Sequence, residues 1–248
     1  MIRRKLALAT GMLALATVGV SALATAQTLP EFKAEYDVYR SGVKIARLER
    51  SFSRQTDGNL LYRSETNVSG IASMFRKDRI IEESRWQYTN GKIVPQFYQY
   101  LHTGTSRERN VTIEFDWKSR LITNSVNGSP WRMHASEGIL DKLVYQYSIM
   151  LDLQAGKSSL RYTVADGGTE KVYVFEKLGE EMLETALGTL KTIKMERYRP
   201  DSDRQSVFWS APEIGYLPVK LENTDEGVKT VVVIRSVTGL GIETVSQK

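Results

Sequence analysis

The chain has 248 residues, with 34 Lys or Arg, 29 Asp or Glu, two His and no Cys. The absence of cysteine excludes disulfides, thiolate metal sites, a cysteine nucleophile and a lipid anchor attached to a cysteine. Three of the basic residues precede residue 27, leaving 31 against 29, and basic clusters such as Arg107 to Asn110 are interrupted by acids, so nucleic acid is not an expected partner.

The chain opens with Arg3, Arg4 and Lys5, continues through an uncharged apolar run from Leu6 to Val20, and reaches the small residues Ala24-Thr25-Ala26. That order predicts a cleaved signal peptide over residues 1–26 and a mature chain from Gln27. An uncleaved anchor is the alternative, but an Ala-rich run broken by Thr and Gly is only weakly hydrophobic. The expectation is an exported, periplasmic protein with no integral membrane segment after cleavage. The remaining 222 residues are long enough to bury a core without disulfides. No linker divides them, so residues 27–248 are expected to form a single β-rich domain.

From residue 31 one pattern repeats: an alternating segment, then a turn. Residues 31–40 place Phe32, Ala34, Tyr36 and Val38 on one face and Lys33, Glu35 and Asp37 on the other, the period of a half-buried strand. Strands of the same kind are expected over 43–52, 60–68, 78–89, 92–101, 110–117 and 120–126. Asn90-Gly91 is a strong hairpin signal, and Asn127-Gly128 closes the first series. Turns this short join antiparallel neighbours.

Residues 136–157 break the pattern. Leu140, Leu143, Val144, Tyr147, Met150 and Leu151 recur at helical spacing, predicting an amphipathic helix from Leu140 to Leu153. Ser136 is the expected N-cap, Glu137 suits the positive end and Gly156 the left-handed terminus. An isolated helix of this length is marginal in water, so it is expected to lie across the concave face of a curved sheet. Strands resume over 160–168, 171–179, 181–188, 189–198, 205–211, 216–223 and 228–234. Pro218 marks an edge strand or a strand start, and the tail from Thr238 is expected to be peripheral. The fold expected is mainly β: a strongly curved antiparallel sheet, half-barrel or open barrel, with one amphipathic helix across its concave side.

No catalytic constellation emerges. His102 and His134 stand alone, outside any ligand spacing. No GxSxG elbow is present, and Val164 to Glu170 lacks the lysine and following helix of a phosphate loop. Asp201 and Asp203 fall far short of an oxygen cage. Glu82 and Glu83, adjacent in a strand, point to opposite faces and cannot act as a pair. No enzyme activity, metal or cofactor is expected.

The aromatics are more informative. Trp86 with Tyr88, Tyr98 with Tyr100, and Phe115 with Trp117 each share a strand face, while Trp131 falls in a loop approaching the helix. They either pack under the helix or line an apolar groove. The groove candidates are Trp86, Tyr88, Tyr98, Tyr100, Phe115 and Trp117 from strands, with Leu143, Tyr147 and Met150 from the helix. Tyr147 is expected to set its hydroxyl at the groove mouth. In the strand at 205–211 either Phe208 or Trp209 faces the core, and the larger ring, Trp209, is the one expected there.

Asp166-Gly167, Leu187-Gly188-Thr189, Phe208-Trp209 and Gly215 to Val219, in this order and spacing, resemble the core signature of the domain of unknown function 3108 family. The strand bearing Tyr36, the run Phe115 to Trp117 and the helix beginning near Leu140 are also similar to it, so the resemblance spans about Phe32 to Ile234. It implies an exported bacterial protein built as a half-barrel with a helix over its concave side, a plan similar to lipoprotein carriers. It brings no activity and no catalytic residues. Three functions are therefore expected to compete, in this order: a carrier for an apolar, lipid-like envelope ligand, a structural component that docks another envelope protein, and a hydrolase whose site only a convergent Asp/His/Ser cluster from distant strands would reveal.

Overall fold

The computed structural model describes residues 30–70, 77–198 and 204–240. The expected signal peptide, the Asp201/Asp203 turn and the tail beyond Leu240 lie outside the described residues. The first strands are β1 (Phe32–Arg40), β2 (Val43–Arg54), β3 (Leu60–Val68), β4 (Arg79–Thr89) and β5 (Lys92–Thr103). β6 (Arg109–Asp116), β7 (Leu121–Val126) and β8 (Ser129–His134) follow, then the helix α1 (Val144–Gln154). The second series is β9 (Leu160–Asp166), β10 (Thr169–Thr185), β11 (Gly188–Tyr198), β12 (Gln205–Ala211), β13 (Leu217–Asp225) and β14 (Val228–Thr238).

All fourteen strands form one antiparallel sheet in the order β8-β7-β6-β5-β4-β3-β2-β1-β14-β13-β12-β11-β10-β9. It consists of two meanders joined where β1 pairs with β14, with Lys33 opposite Thr238. Alternation decides which face is buried: Phe32, Ala34, Tyr36 and Val38 are all at or below 8% exposure. The hairpins behave as their turns dictate. Asn90 and Gly91 both take positive φ, 52° and 74°, the mirror-image turn whose twist matches the flanking strands.

The sheet is open, and its end strands β8 and β9 do not pair. The chain between them crosses the gap as α1, around which the sheet curves. Tyr147 packs against Phe52, Tyr62 and Trp86 of β2, β3 and β4. Two residues earlier, Tyr145 packs against Tyr162, Tyr173 and Phe175 of β9 and β10. The helix therefore joins the two meanders on their concave side. Val144, Tyr145, Tyr147, Ser148, Ile149, Met150 and Leu153 are all buried, a wider surface than the expected stripe.

The helix begins at Val144 rather than near Leu140, because Leu140 is engaged elsewhere. Its N–H donates to Thr163 O (2.9 Å) and its carbonyl accepts from Ala165 N–H (2.8 Å), a bridge to β9. The capping group is Asp141, not Ser136: one carboxylate oxygen accepts from the Leu143 and Val144 N–H groups, each at 2.8 Å. Gly156 does terminate the helix, at φ 72°. Gly156 N–H reaches Leu153 O and Lys157 N–H reaches Asp152 O, the paired bonds of a Schellman ending.

Three expectations are corrected. Residues 129–134 form the edge strand β8, so Trp131 is not in a loop; Pro130 and exposure of nearly every residue hid its alternation. Residues 171–185 are one strand continuing through a bulge between Lys177 and Gly179, not two strands. The third correction concerns faces. Trp209 is buried at 4% exposure, but on the opposite face from the helix. Its cross-strand partners are Lys194 and Lys220, whereas Phe208 has Met195 and Leu221 as partners and meets Phe175. Pro218, at the second position of β13, marks a strand start.

Candidate functional site

Among the described residues, two cavities lie beside the helix and the sheet. One, of about 420 Å3, lies between the C-terminal turn of α1, β9 and the β4–β5 turn. Its rim is charged: Lys157 pairs with Asp152 at 2.6 Å, and the Tyr162 hydroxyl donates to Asp152 at 2.9 Å. The other, of about 340 Å3, lies at the seam where β5–β8 face the β9–β10 turn. Inward positions of successive strands build its walls: Tyr98 and Tyr100, then Val111 and Ile113, then Asn124 and Val126. Trp131 closes one side, with its indole against Gly168, where a side chain would collide with the ring. Arg109, Lys142 and Asp166 supply charge at the periphery.

The seam is held by polar bonds. Lys142 and Lys171 both reach Asp166 at 2.9 Å, and the Tyr173 hydroxyl donates to it at 2.9 Å. Burial raises the Asp166 pKa, but these three donors outweigh it and hold the carboxyl below its usual range. Arg109 is exposed and makes no ion pair among the described residues.

Behind the cavity wall lies a buried polar cluster. The Tyr98 hydroxyl donates to Glu82 at 2.6 Å, and the Ser84 hydroxyl donates to Asp141 at 2.5 Å. Burial and Glu82 push the Tyr98 phenol up, so it remains protonated. Burial also pushes the Asp141 carboxyl up to about 6, against the pull of Ser84 and the two backbone donors. An unfolded aspartate titrates near pH 4. Between about pH 4 and pH 6 the folded protein therefore holds a proton that the unfolded chain has released. This group's contribution to stability is fully present below about pH 4 and is lost as pH rises through about 6. Urea melts from pH 4 to 7 on the wild type and Asp141→Asn should show the difference between them shifting against the wild type as pH rises. A difference independent of pH would mean that Asp141 is ionised throughout.

The sequence-derived candidates are dispersed. Tyr98 and Tyr100 stand on the wall of the seam cavity, and Tyr88 on that of the larger one. Trp86, Leu143, Tyr147 and Met150 lie in the packed interior at 1% exposure or less. Tyr147 is thus not at a groove mouth. Phe115 and Trp117 stack on each other at 5.8 Å, and the Trp117 indole donates to Pro95 O at 2.6 Å; neither lines either of these two cavities. Glu82 and Glu83 do face opposite ways: Glu82 accepts from Tyr98, while Glu83 pairs with Arg63 on the outer side.

Sequence reasoning missed Asn124, Trp131 and Arg109, and also Arg50, Tyr36 and Tyr62. Arg50 left a signal. It occupies an inward position between Leu48 and Phe52, where every neighbour in the alternation is apolar. It is 7% exposed, and its Nε and one terminal nitrogen have no partner; nor does the hydroxyl of Tyr36 beside it, while that of Tyr62 approaches Arg50 without a well-aligned hydrogen bond.

A family model described as "Protein of unknown function (DUF3108)" matches residues 35–233. No curated protein matches the sequence. Among solved structures, the chain is similar to a β-barrel-like protein of domain of unknown function DUF1849 from Brucella abortus. Identity there is 7%, coverage 85% of this chain and 98% of that one, and the TM-score 0.54, so the likeness is one of fold. A lipoprotein candidate from Parabacteroides distasonis aligns at 10% identity over 86% of this chain and 96% of its own, with a TM-score of 0.37. The MucA/MucB complex of Pseudomonas aeruginosa aligns at 10% identity over 86% and 95%, with a TM-score of 0.17.

Proposed function

The chain belongs to the DUF3108 family of proteins of unknown function, and from that premise and the cavity geometry we propose a non-enzymatic binding protein of the bacterial envelope. It is exported to the periplasm and holds an apolar, lipid-like ligand. The observation that carries this reading is the seam cavity of about 340 Å3, walled by Tyr98, Tyr100, Val111, Ile113, Val126 and Trp131. That volume lies within the range of small-molecule sites, which pair apolar walls with a few polar groups. Among the described residues no helix is long and apolar enough to cross a membrane, and the amino-terminal pattern of Arg3 to Ala26 supports export with cleavage.

A second reading rests on β8. It is a sheet edge with nearly every side chain exposed, and an unpaired edge accepts a strand from another protein.

One experiment separates the two. Protein from a periplasmic extract, with an amino terminus reading Gln-Thr-Leu-Pro if cleavage follows Ala26, is titrated with the neutral fluorophore N-phenyl-1-naphthylamine. The wild type should bind, and Val111→Trp, which fills the cavity, should weaken binding by about tenfold or more with an unchanged circular dichroism spectrum. Absence of binding by the wild type, or equal binding by the variant, would transfer the assignment to the docking reading.

A further inference from the structure

Arg50 is a buried cation without a counter-ion. Its neighbours in β2, Leu48 and Phe52, are buried, and across the ladders it faces Ala34 and Ser64. Burial opposes its charge, but a guanidinium stays protonated in proteins, and the balance for Arg50 is upward, with Glu82 the acid among the groups that oppose burial. The Tyr36 ring lies 5.9 Å from the guanidinium carbon and its hydroxyl has no partner; the Tyr62 hydroxyl approaches Arg50 without forming a well-aligned hydrogen bond. The acid best placed to neutralise it, Glu82, accepts from Tyr98 and makes no ion pair with Arg50 among the described residues. An isolated buried charge is costly unless paired, and an arginine is suited to gripping carboxylate or phosphate oxygens through its fixed fork of donors.

The cavity wall and this group share one row of the sheet. Val126, Val111 and Tyr100, which line it, are successive partners across the ladders. The same row continues as Glu82, Ser64 and Arg50. Ser64, between the two charges, is a small side chain. At the usual strand spacing, Arg50 lies about 14 Å from Tyr100 across the sheet, a span that a dodecyl chain covers.

We propose that the ligand is an anionic amphiphile, with its tail among the apolar walls of the seam cavity and its carboxylate or phosphate head gripped by Arg50 with the hydroxyls of Tyr36 and Tyr62. This rests on the carrier reading above and specifies its substrate class. Arg109, at the cavity's periphery, is exposed, so solvent screens its charge and it does not select the head.

The test compares sodium dodecanoate, monododecyl phosphate and neutral dodecanol as competitors of N-phenyl-1-naphthylamine at pH 7.5. The wild type should bind one of the anions about tenfold or more tightly than dodecanol, the scale expected of charge-assisted bonds to a buried group; whichever anion is preferred identifies the head. Arg50→Met should bring that ratio close to one without weakening dodecanol. Its melting temperature without ligand should be no lower than that of the wild type, because replacing an uncompensated buried charge with an apolar side chain removes a burden. If Arg50→Met does not fold, the double variant Tyr36→Phe, Tyr62→Phe replaces it and should reduce the ratio by at least about threefold, the loss of hydrogen bonds to the head. Arg109→Met should leave the ratio unchanged. Equal binding of anions and dodecanol by the wild type overturns the head site but leaves the carrier reading standing. A preference that survives Arg50→Met, survives the tyrosine double variant, or follows Arg109 also overturns it. Failure of every competitor and of the dye overturns both.

Discussion

Tyr147→Ala is expected to lower the unfolding free energy by about 3–5 kcal/mol, as truncation of buried aromatics does. The ring is fully buried and lies 4.7 Å from Phe52, 5.1 Å from Trp86 and 5.7 Å from Tyr62. These rings stand on three adjacent strands, and a strand held in ladders on both sides cannot move inward to close the void. The loss therefore combines transfer and cavity terms. It also loosens the grip of the first meander on a helix that has little stability of its own. Urea denaturation measures the effect, and Tyr147→Phe, which keeps the ring, should recover most of it. A loss under about 1 kcal/mol, typical of surface sites, would show that the helix is not seated on β2–β4.

Trp209→Ala should cost about 3 kcal/mol, the lower end for a buried aromatic, although the ring lies on the face away from the helix. Lys194 Nζ stands 5.1 Å and Lys220 Nζ 4.4 Å from the ring centroid, and the indole N–H donates to Glu181. Leu190 and Thr192, on the same side of β11 as Lys194, are also buried, so this part of the outer face is covered rather than open. The apolar area removed dominates, and each cation over the ring adds about 0.5–1 kcal/mol. Trp209→Phe should retain most of the stability, because the covering aliphatic stems still find a ring. Equilibrium melts of the two variants check this; equal losses would mean that the Glu181 bond rather than ring burial sets the cost.

Much of the fold was legible because one physical signal carried it. Period-two alternation marked β1 to β7, and turn residues such as Asn90-Gly91 fixed their antiparallel order. Where that signal failed, the reading failed. β8 is exposed on both faces and begins with Ser129-Pro130, leaving no alternation to see. Gly179 resembles a turn residue but sits at a bulge. The helix start was misplaced because Leu140, apolar and in phase, is bonded to β9 instead.

The site was less legible. Tyr98 and Tyr100 were found by sharing a strand face, but so was Trp86, and nothing local distinguishes a cavity wall from a packed ring. That depends on where Tyr147 comes to rest. Arg50 broke the apolar pattern of its own strand, yet its lack of a partner is a property of β1, β3 and β4 together, which no stretch of sequence displays.

The pairing of β1 with β14 has a consequence for how the molecule comes into being. Every other ladder joins strands that follow one another along the chain and can form as soon as its hairpin closes. This one joins Lys33 to Thr238 and must close a loop made of nearly the entire domain, an entropic cost that local hairpins avoid. The two meanders can therefore each assemble from neighbours, but they become one sheet only when the last strand meets the first. Synthesis order sharpens the point. The first strand leaves the ribosome before the others and remains without one of its partners until the C-terminal strand appears, with Tyr36 and Val38 already committed to a face. Arrival of β14, rather than closure of any internal hairpin, marks the moment when this edge ceases to be available to other strands.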